Sequence, residues 1–90
     1  MTDLRSRAEA FLHRPFPLGE RAPGNLTDCL IARYLAGGPW DDPELVELLS
    51  LCHMSAVTEA NSKTGKLRAF YRESATVLEG IQSELSGASD

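Results

Sequence analysis

The sequence predicts an all-α fold, a compact bundle of three or four helices, and three observations carry that reading. Asp42-Pro43-Glu44 is a strong helix start: an N-capping carboxylate, a proline at the first helical position, and an acid at the positive end of the dipole. From Leu67 to Leu85, apolar residues recur every three or four positions, as on one helix face. Between the periodic stretches, prolines and glycines cluster at 14–24 and 37–39, where helices must stop. The predicted helices span about 3–13, 26–36, 43–60 and 66–85.

The first helix, over 3–13, has Thr2 as its expected N-cap and places Leu4, Ala8, Phe11 and Leu12 on one face. Pro15 ends it by biasing its predecessor away from helical backbone. Residues 14–24, with Pro15, Pro17, Pro23, Gly19 and Gly24, read as an extended connection with polyproline character, and Phe16 and Leu18 are expected to be pinned onto the bundle.

Asn25 opens the second helix, with Asp28 three residues on in a capping-box-like arrangement. Leu26, Cys29, Leu30, Ile31, Ala32, Tyr34 and Leu35 make a wide apolar stripe, which predicts a central position. Gly37-Gly38-Pro39 ends it as a C-cap. In the third helix Leu45, Leu48, Leu49, Cys52, Ala56 and Ala60 follow the Asp42 cap at helical spacing.

Asn61-Ser62-Lys63-Thr64-Gly65 is the expected break, because only Lys63 among them favours a helix interior. The opposing reading is one bent helix from 43 to 85. Lys66 and Arg68 would oppose the dipole in a first turn, and Glu59 with Lys63 is a favourable pair four residues apart. Leu67, Phe70, Ser74, Val77, Ile81 and Leu85 trace the seam of the last helix, widened by Tyr71 and Leu78. This Leu67–Leu85 face is also the expected surface for a homodimer. Residues 86–90 read as a frayed tail, and residues 1–90 as a single domain.

With 42% hydrophobic and 24% charged residues, the composition is that of a folded globule rather than a disordered chain. No apolar run approaches the roughly 20 residues of a membrane span, and the charged Met1–Arg7 stretch has no signal-peptide pattern. The expected location is therefore the cytoplasm, or a host-cell interior if the gene is carried by a phage, and Asn25-Leu26-Thr27 is a sequon only in spelling. The formal charge of −4 is uneven. Residues 25–62 carry Arg33 against Asp28, Asp41, Asp42, Glu44, Glu47 and Glu59, a local −5 that repels phosphate backbones and argues against direct nucleic-acid binding.

Catalytic signatures are missing. Gly37-Gly38 lacks the lysine and spacing of a phosphate loop, and neither His13 nor His53 has a glutamate three residues before it, as a di-iron bundle needs. Cys52 and His53 are neighbours that a helix points about 100° apart, so they form no dyad. His13 instead suits the negative end of the first helix. No catalysis, cofactor or metal is expected.

Two groups remain. Trp40, Asp41, Asp42, Glu44 and Glu47 combine a residue type enriched at binding hot spots with four carboxylates, a surface suited to a basic protein partner. The competing reading makes Trp40 a lid on the bundle end and the acids a helix cap and solvated rim. Cys29 and Cys52 would become neighbours if the second and third helices form a hairpin about residue 40, giving a thiol redox or metal sensor with His53 nearby; the plainer reading is two buried free thiols. Lys63, Lys66, Arg68 and Arg72 form a basic strip that reads as a solvated face. The resulting expectation is a small acidic protein–protein interaction module (an adaptor, regulator or inhibitor), with the thiol sensor as alternative.

Overall fold

A computed structural model describes residues 3–21 and 24–87 of the chain. These residues form α1 (Leu4–His13), α2 (Leu26–Leu35), α3 (Pro43–Ser62) and α4 (Gly65–Gly87). Among them β structure is limited to one isolated bridge, between Phe16 and Gly19.

Asp3, not Thr2, caps α1. Its Oδ1 accepts the Ser6 backbone N–H at 2.8 Å, and that bond holds the carboxyl below its ordinary pKa. A carboxylate at this position satisfies an orphan donor and faces the positive end of the dipole; Thr2 lies outside the described residues. His13 does occupy the last turn. Arg7 joins α1 to α4 through two hydrogen bonds to Glu73, at 2.8 and 3.2 Å.

The connection after α1 is less extended than its prolines suggest. Phe16-Pro17-Leu18-Gly19 is a tight turn closed by Gly19 N–H donating to Phe16 C=O at 3.1 Å. Phe16 is pinned as expected, edge-on to Phe70 with centroids 5.2 Å apart. Leu18 is not: it sits at the turn tip, 73% exposed, because the central residues of a four-residue turn project away from the surface that holds its ends.

Asn25 caps α2 as predicted, its Oδ1 accepting Asp28 N–H while its Nδ2 donates to Asp28 Oδ2, each at 2.9 Å. At the other end Gly37 N–H reaches Tyr34 C=O and Gly38 N–H reaches Arg33 C=O, the paired bonds of a Schellman cap. Arg5 of α1 adds a 2.8 Å bond to Leu35 C=O. The wide stripe is only partly inward: Leu30, Ile31 and Tyr34 are buried, whereas Leu26, Cys29 and Ala32 face solvent. Both α2 and α4 touch all three other helices, and α1 and α3 do not touch each other.

Residues 63–64 separate two helices, so the single bent helix is not formed. Gly65 takes φ +61°, a left-handed conformation that a β-carbon disfavours and a continuing helix cannot contain. The objection raised by Arg68 has a structural answer. Its Nε donates to Ala60 C=O at 3.2 Å and Lys63 C=O at 3.0 Å, so the charge serves the negative end of α3 rather than opposing the start of α4. Lys63 pairs with Glu59 at 3.4 Å.

The core is built from Ala8 and Phe11 of α1, the three buried residues of α2, Leu49, Cys52 and Ala56 of α3, and Phe70, Val77, Leu78 and Ile81 of α4. Small side chains on α3 let it pack along α4 as an antiparallel hairpin, the most extensive helix pairing in the fold. This consumes the seam once expected to hold a homodimer: Val77, Leu78 and Ile81 are fully buried within one chain. α4 also runs on through Ser86 and Gly87, which were expected in the tail, and residues 88–90 lie outside the described residues.

Candidate interaction surface

Two hydrogen-bonded corners present the segment between α2 and α3. Arg33 Nε donates to Pro39 C=O at 2.8 Å, fixing the exit from the Gly37-Gly38 cap. Asp42 Oδ1 accepts Glu44 N–H at 2.9 Å, with Pro43 at the first helical position. Between them Trp40 is half-buried and packs on the core, lining an open depression of about 250 Å³ with Val46, Gln82, Leu85 and Ser86. Trp40 is thus partly the lid of the competing reading and partly exposed. Asp41, Asp42, Glu44 and Glu47 are exposed, and among the described residues none of the four is in an ion pair.

The residues that sequence reasoning missed lie on the outer side of α3. Six large apolar side chains are exposed among the described residues, and four of them, Val46, Leu51, Met54 and Val57, belong to this helix. At about 100° per residue, Val46, Met54 and Val57 project within about 80° of one another, and Leu51 lies about 60° beyond Met54. Leu49, Cys52, Ala56 and Ala60 already satisfy the core. The second apolar set therefore stays partly open to solvent within the described chain. Its signal was in the sequence, since α3 holds more apolar residues than one buried face can use and contains neither lysine nor arginine. On the flank towards α4, His53 Nε2 lies 3.9 Å from Glu79 Oε2.

A second concavity, about 330 Å³, is lined by Phe11, Phe16, Phe70 and Tyr71. Arg21 lies over two of these rings, its Cζ 4.5 Å from the Phe11 centroid and 5.0 Å from that of Phe70. Its Nη1 binds Asp28 Oδ1 at 2.7 Å, Nε donates to Arg14 C=O at 3.1 Å, and Nη2 donates to Phe11 C=O. This chemistry ties the 14–21 segment to the core.

Cys29 and Cys52 are both free, the first exposed and the second buried. Cys29 is exposed on the side of α2 opposite its buried face, with Sγ 3.8 Å from Gly24 O, whereas Cys52 is buried among the α3 core residues. One thiol, not two, therefore fits the plainer expectation of burial. Among the described residues no group of three or more histidine, cysteine or acidic side chains is placed to hold a metal ion. The basic strip is largely local chemistry, since Lys63 pairs with Glu59 and Arg68 caps α3, leaving Lys66 and Arg72 exposed. No described helix is long and apolar enough to cross a membrane.

Compared with protein families, characterised proteins and solved structures, the chain matches none.

Proposed function

We propose that the chain is a protein-binding module, acting as an adaptor, regulator or inhibitor through the outer side of α3 and the Trp40–Glu47 segment that leads into it. The observation that supports this reading is the exposure of Val46, Leu51, Met54 and Val57 on one helix whose charged residues are Glu44, Glu47 and Glu59. Isolated exposed apolar side chains are ordinary, but a set along one helix face rimmed by charge is the pattern of a protein contact. Asp41 and Asp42 extend the acidic rim, so the fitting partner is basic. With both thiols free, a reducing compartment such as the cytoplasm is its proposed setting.

Quantitative affinity capture tests the reading with three baits: wild type, Leu51→Glu/Met54→Glu, and the α4 surface control Thr76→Glu. A protein held by wild type and the control but lost from the double variant supports it, provided the helical circular-dichroism signal is unchanged. Capture that ignores the α3 substitutions overturns it.

A further inference from the structure

We infer that the occupant of the α3 surface is a single amphipathic helix of a partner protein, apolar on one side and flanked by lysine or arginine, with its bases over the Asp41–Glu47 end. This deepens the protein-binding reading and rests on it.

The shape of the surface selects a helix. Val46, Ser50, Met54 and Val57 follow one another at intervals of four, four and three residues, a ridge about 17 Å long at 1.5 Å per residue. A partner helix with apolar anchors at i, i+4, i+7 and i+11 repeats at the same rise and can interdigitate with that ridge. A helix flank offers no free row of N–H and C=O groups, so strand addition has nothing to pair with. The ridge is also one wall of a shallow groove. Val46 shares its depression with Gln82 and Leu85, and His53 approaches Glu79, so α4 supplies the second wall.

Charge selects among helices. Asp41, Asp42, Glu44 and Glu47 are unpaired among the described residues, whereas Glu59 at the far end is already paired with Lys63. Uncompensated negative charge therefore lies at the start of α3, which sets both the sign of the partner's flank and its direction along the ridge. A second copy of this chain offers neither lysine nor arginine on α3 to meet these carboxylates. Anionic lipid and nucleic acid are repelled by the same field.

The test uses the full chain and three synthetic peptides of about 18 residues, long enough to span the ridge at 1.5 Å per residue. One is an amphipathic helix with lysines flanking its apolar anchors and concentrated at one end, one is its lysine-to-glutamate reversal, and one is a scramble without amphipathicity. Amide NMR shifts and calorimetry read the binding. The inference expects the basic helix to shift resonances of residues 46–57 and 79–85, and to bind at least about tenfold more tightly than the reversal, a difference of about 1.4 kcal/mol. Leu51→Glu/Met54→Glu is expected to weaken it by about tenfold or more with the fold intact. Equal binding of the scrambled peptide, absence of binding by the basic helix, shifts confined to another surface, or a homodimer built on α3 overturns it. If a captured protein depends on Leu51 and Met54 but meets them with a non-helical segment, this inference fails while the protein-binding reading stands. If no capture depends on them, both fail.

Discussion

Replacing Arg21 with alanine removes the side chain that fastens the link between α1 and α2 onto the core, and its cost can be worked out contact by contact. The guanidinium lies 4.5 and 5.0 Å from the Phe11 and Phe70 centroids, and its side chain is only 16% exposed. Two cation–π contacts at this degree of desolvation are worth about 1 kcal/mol each. The 2.7 Å bond to Asp28 is charge-assisted and partly buried, adding about 1 kcal/mol. The carbonyl of Phe11 also loses its Arg21 donor. Because these contacts share one side chain and do not add simply, we expect a loss of about 3 kcal/mol. For a domain of this size that is a fall in Tm of roughly 12–24 °C. Arg21→Lys keeps the charge but not the planar fork, and should recover less than half of the loss, about 1 kcal/mol. Urea unfolding followed by far-ultraviolet circular dichroism measures the change as a lower midpoint at unchanged slope. A loss below about 1 kcal/mol for Arg21→Ala, or full rescue by lysine, would refute the claim that the 14–21 segment is held through this fork.

Three other perturbations probe different parts of the fold. Burial, followed by the 2.6 Å hydrogen bond to Glu84, pushes the Tyr34 hydroxyl up to about 12 from an ordinary value of 10.0. A raised folded pKa means that the contribution is fully present below about pH 10 and is lost as pH rises towards about 12. Wild type should therefore exceed Tyr34→Phe in stability by about 1–3 kcal/mol at neutral pH, with the gap closing in that alkaline window; a gap that is constant with pH contradicts the assignment. A β-carbon on Gly80 would lie 2.7 Å from Leu4 Cδ1, where α1 approaches α4. Gly80→Ala alone should change stability by less than about 0.5 kcal/mol, since displacement of Leu4 offsets the gain in helix propensity, whereas in a Leu4→Ala background the full gain of about 1 kcal/mol should appear. A double-mutant cycle with no coupling would show that the contact is not felt. A thiol reagent should modify Cys29 rapidly in the native protein and Cys52 only on unfolding; an intramolecular disulfide on mild oxidation would contradict their separate placement.

The sequence by itself determined the all-α class and most of the signals that start and stop its helices, while the separation of α3 from α4 was left to the structure. The caps at Asn25 and Asp42, the Gly37-Gly38 terminus and the α4 seam are encoded by residues within a turn or two of where they act. Local hydrogen bonding and backbone freedom settle such features without the rest of the chain. Tertiary structure decided which of the remaining apolar residues stay exposed, and that outcome depends on neighbours. On α3 the spacing already marked Leu49, Cys52, Ala56 and Ala60, which do go inward, but only the tertiary structure shows that Leu51, Met54 and Val57 stay out. The same cause separated the two thiols, because α2 turns Leu30, Ile31 and Tyr34 to the core and leaves Cys29 behind. Long-range polar links were equally silent in the sequence. Arg68 capping α3 and Arg21 spanning two phenylalanines each join residues whose proximity exists only once the helices have packed. The binding surface follows from that packing: it is the apolar face of α3 for which the four-helix core had no room.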